Sequence, residues 1–347
     1  MKRCQTDMPR CDWKPVSAGK KENIKLSHMM TSGPGTATEY IGSRNENTTS
    51  QSTASPTCKN AICIFFAAAN LMIFILGVAG NGLVIWIAGF KLKKSVIITW
   101  YLSLAMSDFT LCAFLPIGII DMLKNEWVFD YFMCKFWSFF TLLNMYSSVF
   151  LLVIISVDRC VIVTFPVWAQ NQRTVRKASA VVVLAWLISA ALSAQAVVLD
   201  DVEHDHLDHT TFCFYSHIND QNHFAEVACE LIFGFLIPFL VIIVSYVAVV
   251  RKLKSNQMPK FQKPFKIMTL LIASFLICWV PYHTIALMDL NYEKYKSFLP
   301  TAYVVVIILA SANSALNPYL YAFMGNNFKN QCYALLSKIE NAVKEDI

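Results

Sequence analysis

FWSFFTLLNMYSSVFLLVIISV, residues 136–157, is an uncharged stretch that decides the fold. Cys134 comes just before it, and Asp158-Arg159-Cys160 follows it directly. Cys134 and Arg159 are 25 positions apart, so a single helix would place them about 37 Å apart at roughly 1.5 Å per residue. The hydrocarbon layer of a bilayer is only about 30 Å thick. The pattern therefore predicts a membrane-spanning helix with the cysteine at one surface and the arginine at the other.

Six other stretches are as poor in charge as this one. They are residues 61–90, 95–120 (interrupted only by Asp108), 178–199, 231–250, 267–288 and 297–328. Each is long enough to cross a bilayer. Charged residues make up 15% of the chain, against about 25% in an average soluble domain. The sequence therefore predicts an all-α membrane protein, with a seven-transmembrane helix bundle at residues 61–325, instead of a large soluble helical domain.

Basic residues are concentrated in alternate loops of this arrangement. The loops after the first, third and fifth predicted spans contain Lys91, Lys93, Lys94, Arg173, Arg176, Lys177 and a further cluster at residues 251–266. Lys and Arg accumulate in cytoplasmic loops. The acceptor sequence Asn47-Thr48-Thr49 predicts glycosylation of Asn47, which requires an extracellular position. We therefore expect a plasma-membrane protein with a disordered extracellular tail at residues 1–60 and a cytoplasmic C-terminus.

Two cysteines lie in extracellular positions that suit a disulfide. Cys134 begins the predicted third span, and Cys213 lies in the loop after the fourth. A bond between them would hold that loop over the mouth of the bundle. The β-branched and aromatic residues at 210–215, TTFCFY, favour a hairpin there.

Asp108 is a carboxylate in the middle of a predicted span, where charge is costly and usually functional. Polar groups that could reach it from other spans are Asn81, Asn144, Ser148, Asn313, Ser314 and Asn317. One carboxylate with several neutral oxygens can hold a small hard cation. We expect an allosteric Na⁺ held by Asp108, Asn144, Ser148 and Asn313, or alternatively a hydrated hydrogen-bond network without an ion. No other cofactor is expected.

Three of the prolines inside predicted spans, Pro238, Pro281 and Pro318, stand where a kink would help a helix bend. Proline removes one backbone hydrogen bond and creates a hinge, which a helix bundle tolerates because neighbouring groups compensate. Each proline alone is a weak signal. Their order, together with the surrounding residues, is specific.

Motifs along most of the chain resemble those of the rhodopsin-type G-protein-coupled receptors. They are Gly80-Asn81, Leu104-Ala105-Met106-Ser107-Asp108, Asp158-Arg159-Cys160, Trp186, Pro238 with Tyr246, Cys278-Trp279-Val280-Pro281 and Asn317-Pro318-Tyr319-Leu320-Tyr321. Trp127-Val128-Phe129, Cys160 after the arginine and Phe323-Met324-Gly325 resemble the chemoattractant peptide branch, in particular the chemerin and formyl-peptide receptors.

The resemblance implies a conformational switch at the end of the third span. Asp158 would hold Arg159 in the inactive state, and the released arginine would meet a G-protein α-subunit. Tyr246 and Tyr321 would then move in to support it. The resemblance also implies coupling to inhibitory-class heterotrimeric G proteins in chemotaxis or inflammation.

The resemblance assigns the transmission of ligand binding to the sixth and seventh spans. Trp279, with Phe275 one turn earlier on the same helix, would transmit the effect of ligand binding to the hinge at Pro281. Asn317 and Pro318 would complete the switch in the seventh span.

The nature of the ligand is constrained by charge. Residues 178–250 contain no Lys or Arg but eight acidic residues, and Glu226 and Glu230 share one helical face. An acidic funnel attracts basic ligands, whereas formyl-peptide receptors place arginines at this face. We therefore expect a peptide or small protein with a cationic segment, unless the acidic loop is merely solvated. The expected contacts are Asp121, Glu226, Glu230, Tyr282, His283, Asp289 and Tyr303.

Two simpler ligand classes are disfavoured. A retinal pigment would need a lysine in the last span, and residues 297–328 contain none. Receptors for amines carry an aspartate where Thr141 stands in this chain. A histidine-rich run at residues 204–209, HDHLDH, could bind Zn²⁺ or sense pH, or simply be solvated.

Residues 326–347 are expected to form a short amphipathic helix and tail on the inner membrane surface. Ser337 is the only Ser or Thr after Tyr321, so we expect weak recruitment of arrestin through the tail. The sequence contains no arrangement typical of a catalytic centre, and we expect no enzymatic activity. Two alternatives remain open, a non-signalling chemoattractant scavenger and a receptor for a lipid mediator.

Overall fold

The computed structural model describes residues 61–124, 126–204, 211–215, 220–256 and 262–322. The predicted N-terminal tail with Asn47, and the predicted amphipathic helix at 326–347, lie outside these residues.

Seven helices within this part of the chain are long and apolar enough to cross a bilayer, which confirms the predicted bundle. The first six spans are Ala61–Trp86 (continued by a π-helical turn, Ile87–Lys91), Val96–Lys124, Tyr131–Thr164, Val175–Leu199, the compound helix Asp220–Leu231, Ile232–Leu236 and Ile237–Asn256, and Gln262–Asp289. The seventh is Leu299–Ala322. Two short helices, Pro166–Gln172 and Tyr292–Tyr295, lie in the connections.

The third span is the central helix of the bundle. It begins after Asp130, whose side chain accepts a hydrogen bond from the backbone N–H of Met133 at 2.8 Å. The helix packs against the second, fourth and fifth spans. Tyr146, Val149 and Leu151 are fully buried in its middle. One helix therefore carries both Cys134 and Arg159, near its opposite ends.

The fifth span contains a π-helical segment, Ile232–Leu236, directly before Pro238. Gly234 is buried within this segment, and a side chain there would contact Met145, Tyr146 and His283. The fifth span is therefore packed closely against the third and sixth at this point. π-helical turns often mark functional sites, and this one lies just after Glu226 and Glu230.

The loop after the fourth span forms the predicted hairpin. Strand β1, Asp200–His204, pairs antiparallel with strand β2, Thr211–Tyr215, and Val202 lies opposite Cys213. The histidine-rich run begins at the end of β1, and residues 205–210 lie outside the described part of the chain.

Candidate functional site

The predicted disulfide fixes the hairpin to the third span. Cys134 and Cys213 are bonded, with their Cα atoms 5.6 Å apart. The backbone N–H of Trp127 also donates to the carbonyl oxygen of Thr211 at 2.7 Å. The hairpin is therefore anchored beside one opening of the bundle. We call this side the disulfide end and the opposite side the Arg159 end.

Glu230 is a deeply buried acidic group at the disulfide end, with only 6% of its surface exposed. The hydroxyl of Tyr282 donates to its Oε2 atom at 3.1 Å. The phenols of Tyr146 and Tyr303 also lie within the electrostatic reach of Glu230 and of Glu226, one turn earlier. A tyrosine of the sixth span thus contacts a carboxylate of the fifth, and tyrosines of the third and seventh spans feel its electrostatic field.

A second acidic group, Asp289, lies at the end of the sixth span. Its Oδ2 atom is 3.4 Å from Nε2 of His223 on the fifth span. Tyr303 on the seventh span also forms a hydrogen bond with Asp289 and lies within the electrostatic reach of Glu230. Glu230, Tyr303 and Asp289 therefore form one electrostatic neighbourhood, and their role as ligand contacts stays a prediction. His223 was not among the residues predicted for this site, although it lies three residues before Glu226 on the same helix.

His283 and Asp121, two further predicted contacts, are held differently. The ring of His283 packs against Phe235 and Tyr282, with ring centroids 5.0 and 5.2 Å away. Its Nε2 atom is buried without a hydrogen-bond partner among the described residues. Oδ1 of Asp121 is likewise buried and unpartnered within the described part of the chain. The roles of both side chains in ligand binding stay predictions.

Asp108 lies at the centre of a network of neutral donors. Oδ1 accepts hydrogen bonds from Ser148 at 2.9 Å and from Asn144 at 3.4 Å, and Oδ2 accepts one from Asn317 at 2.8 Å. Ser314 extends the network by donating to the amide oxygen of Asn144 at 3.2 Å. The second, third and seventh spans are joined through this carboxylate.

The predicted Na⁺ ligands are only partly brought together. Asp108, Asn144 and Ser148 are in contact, whereas the amide oxygen of Asn313 accepts a hydrogen bond from Ser274 at 3.3 Å. Carboxylate and hydroxyl oxygens are the donors that a small hard cation prefers. The chemistry of Asp108 and Ser148 therefore fits Na⁺, with Ser314 and Asn317 closer to this centre than Asn313.

An aromatic column lies between the two ends. Phe275 and Trp279 are both buried on the sixth span. Phe275 stacks against Phe235 with centroids 5.9 Å apart, and Trp279 meets Tyr282 edge-on at 5.8 Å. Pro281 follows within the same continuous helix. Tyr282 thus contacts both Glu230 and the aromatic column that reaches Phe275.

The Arg159 end corrects one expectation from the sequence. Asp158 is paired with Arg173, whose Nε and Nη2 atoms donate to its two oxygens at 2.6 and 2.8 Å. Arg159 instead donates from Nη2 to the hydroxyl of Tyr101 at 3.2 Å. The expected pairing of Asp158 with Arg159 is therefore wrong for this structure. Consecutive helical residues do not face each other, whereas Arg173, after the helix Pro166–Gln172, approaches from across the loop.

The match to a known family agrees with this geometry. The model of the 7 transmembrane receptor (rhodopsin family) matches residues 80–321. The chain belongs to this receptor family. It is 38% identical over 310 residues to chemerin-like receptor 1 of Sus scrofa, covering 84% of this chain and 85% of that protein.

Two further relatives belong to the same group of chemoattractant receptors. The receptor is 39% identical over 284 residues to the C3a anaphylatoxin chemotactic receptor of Oncorhynchus mykiss, covering 79% of this chain and 77% of that protein. It is 35% identical over 292 residues to N-formyl peptide receptor 2 of Gorilla gorilla gorilla, covering 79% and 84%. The predicted resemblance is confirmed, and the family implies a receptor that acts through G proteins.

Tyr246 and Tyr321 are the two tyrosines that were predicted to support a released Arg159. Tyr246 packs beside Cys160, Val163 and Val249 on the inner face between the third and fifth spans. The side chain of Tyr321 lies outside the described part of the structure. The approach of both tyrosines to a released Arg159 stays a prediction.

Sequence reasoning missed two partners at the Arg159 end, Tyr101 and Arg173. Arg173 was used only to orient the chain in the membrane. Tyr101 lies seven residues before Asp108 and so two turns along the second span, towards the Arg159 end. This spacing from Asp108 could have predicted that the hydroxyl of Tyr101 lies near Arg159.

Proposed function

We propose that the chain is a plasma-membrane receptor for a chemoattractant peptide or small protein, chemerin-like in kind, with a cationic segment. Its disulfide end faces outward, and its Arg159 end couples to inhibitory-class heterotrimeric G proteins. The basic loops beside the Arg159 end support this orientation. The names of the relatives support a chemoattractant as the ligand.

The observation that carries the cationic ligand is the setting of Glu230. Its carboxylate is withdrawn from solvent, held by Tyr282, and joined by Glu226 one turn nearer the opening. A guanidinium or ammonium group that reaches it exchanges water for a charge-assisted hydrogen bond, which is stronger than a neutral one. Glu226 would attract the cation first, because charges near an opening guide the approach of ligands.

A charge-removal series tests this proposal. Glu230→Gln keeps the shape and the hydrogen-bonding capacity of the side chain but removes its charge. We expect the potency of a basic chemoattractant peptide to fall roughly 10- to 100-fold, since hydrogen bonds to charged groups contribute about 1.5–3 kcal/mol. Glu226→Gln should have a smaller effect, because Glu226 is more exposed. The readout is nucleotide exchange on an inhibitory G protein.

Glu293→Gln is the matched control, because Glu293 is an exposed acid that pairs with Lys296 in the loop before the seventh span. Its potency should equal that of the unmodified receptor. Unchanged potency in Glu230→Gln and in Glu230→Lys would overturn the cationic-ligand proposal. Full activation of the receptor by a neutral lipid mediator, with no response to basic peptides, would do the same.

We extend the proposal to an allosteric Na⁺ beside Asp108. The carboxylate and the hydroxyl of Ser148 would supply oxygen ligands, and the ion would favour the inactive state by binding only to it. Asp108→Asn should abolish any dependence of agonist affinity on Na⁺ when K⁺ replaces it. Equal Na⁺ dependence in Asp108→Asn and in the unmodified receptor would refute the ion site.

A further part of the proposal concerns desensitisation. Among residues 322–347, Ser337 is the one Ser or Thr, so this segment offers few phosphorylation sites for arrestin to bind. Arrestin recruitment should be weak and should survive Ser337→Ala. Recruitment that is strong and lost with Ser337→Ala would contradict this.

A further inference from the structure

The side chain of Tyr101 links the second span to the Arg159 end of the third. Its hydroxyl accepts a hydrogen bond from Nη2 of Arg159 at 3.2 Å. Among the residues that the structure describes, no other side chain accepts a hydrogen bond from this guanidinium. A charged donor makes such a bond stronger than one between two neutral groups. Arg159 is therefore held towards the second span by a phenol.

Packing fixes the position of this phenol. Only 8% of the surface of Tyr101 is exposed, and the residue belongs to the same buried cluster as Leu104 on the second span and Ile155, one turn before Arg159. Side chains of the fifth and sixth spans complete this cluster. Because protein interiors are closely packed, the ring cannot shift without moving its neighbours. The hydroxyl thus offers Arg159 an acceptor at a fixed point.

The acidic neighbour of Arg159 has a different partner. Both oxygens of Asp158 accept hydrogen bonds from Arg173, at 2.6 and 2.8 Å. A two-pronged pair of this kind satisfies the carboxylate in charge and in geometry. The contact that holds Arg159 in this structure is therefore made by the neutral hydroxyl of Tyr101 and not by Asp158.

We infer that Tyr101 is a positioning residue that restrains Arg159 and thereby limits the activity of the receptor without agonist. The inference rests on the proposed role of Arg159 in meeting the G protein. An arginine that turns towards a G protein leaves the second span, and its bond to Tyr101 is then lost. A contact that exists in only one of two states shifts the population towards that state.

Tyr101→Phe tests the restraint, because it removes the hydroxyl and keeps the packed ring. Nucleotide exchange without agonist should rise roughly 2- to 10-fold, since one hydrogen bond of the restrained state is lost. The potency of a basic chemoattractant peptide should rise by no more than the same factor, because the peptide and the released arginine favour the same state. A purely structural role for Tyr101 would instead lower exchange both with and without the peptide.

Two further variants provide the comparison. Tyr131→Phe makes the same chemical change at the disulfide end of the third span, where the tyrosine is 52% exposed, and exchange without agonist should be unchanged. Arg173→Ala breaks the neighbouring pair with Asp158 and should not raise this exchange. An unchanged value in Tyr101→Phe would overturn the inference. So would an equal rise in Arg173→Ala, because the ion pair and not the phenol would then be the restraint.

Thermal unfolding of the purified receptor tests the bond without a G protein. Tyr101→Phe should lower the melting temperature by about 1–4 °C. The same change in the Arg159→Ala background should have no effect, because the bond is already absent there. Two residues in contact give shifts that do not add. Melting shifts that add in the double variant would overturn the inference.

Exchange measured on every class of heterotrimeric G protein separates this inference from the proposed function. If a class other than the inhibitory one responds, and Tyr101→Phe raises its exchange, the inhibitory assignment fails and the inference stands. If the inhibitory class responds but Tyr101→Phe leaves its exchange without agonist unchanged, the inference fails and the coupling stands. If no class responds with or without a basic chemoattractant peptide, both fail, because Arg159 then activates no G protein.

Discussion

The carboxylates at the two ends of the bundle have opposite kinds of partner. At the Arg159 end, Asp158 is matched by the guanidinium of Arg173 through two short hydrogen bonds. At the disulfide end, Glu230 receives the neutral phenol of Tyr282, and Asp289 lies beside the imidazole of His223. Arg173 carries a permanent charge, whereas the phenol carries none.

This difference separates a structural contact from a recognition site. The pair of Asp158 and Arg173 neutralises itself and ties the third span to the following loop. The contact of Glu230 with Tyr282 fixes the position of the carboxylate but leaves its charge in place. A carboxylate that is held in position at this end of the bundle suits the recognition of a cationic ligand, in agreement with the proposed function.

The largest expected effect comes from removing the arginine that distinguishes the Arg159 end. Arg159→Ala should reduce agonist-stimulated nucleotide exchange to background, because the group proposed to meet the G protein is absent. Binding of a labelled basic peptide without G protein should be unchanged, since the disulfide end is intact. Arg176→Ala, at an exposed arginine nearby, is the control. Full signalling by Arg159→Ala would contradict the proposal that the Arg159 end couples to the G protein while the disulfide end binds the ligand.

The second effect isolates the disulfide end. Replacing both Cys134 and Cys213 by Ser should destabilise the receptor by about 2–5 kcal/mol and abolish peptide binding, because the hairpin loses its anchor. The measurements are thermal unfolding and binding to the purified receptor. Cys278→Ser, which removes a buried free thiol, should leave binding intact. Retained affinity in the double variant would show that the hairpin does not shape the ligand site.

A smaller effect tests whether the pair at the Arg159 end is structural. Arg173→Ala leaves a carboxylate without its charged partner and should lower the melting temperature by roughly 2–6 °C, for a cost of about 1–3 kcal/mol. Arg173→Lys should recover only part of the loss, because lysine cannot donate through a two-pronged fork. The exchanged pair, Asp158→Arg with Arg173→Asp, should recover more than either single reversal. Equal stability in all of these variants would show that the pair of Asp158 and Arg173 does not stabilise the receptor.

The smallest effect concerns the neutral contact at the disulfide end. Tyr282→Phe removes a hydrogen bond worth about 0.5–1.5 kcal/mol, so potency of a basic peptide should fall roughly 2- to 10-fold. Dose–response curves beside those of Glu230→Gln provide the comparison. Tyr295→Phe, in the loop before the seventh span, is the control. A loss larger than that of Glu230→Gln would make Tyr282 a direct ligand contact and not a positioning residue.

The fold was predictable because its signals are local. Length and the absence of charge identify seven spans, and the position of Cys213 after the fourth span identifies its partner. Glu230, Tyr282 and Tyr303 were each predicted as ligand contacts, and the structure places them close together at the disulfide end. The pairing of side chains was less predictable, as Asp158 and Asn313 show. Their partners Arg173 and Ser274 depend on the rotation of helices and the course of a short loop.

The sequence by itself determined the membrane bundle, the disulfide, the hairpin and the acidic character of one end. Hydrophobic length, cysteine position and charge act without knowledge of the packing. Only the tertiary structure decided which partner each polar group takes. Hydrogen bonds depend on shifts of a few tenths of an ångström between helices, and no spacing along the chain specifies those.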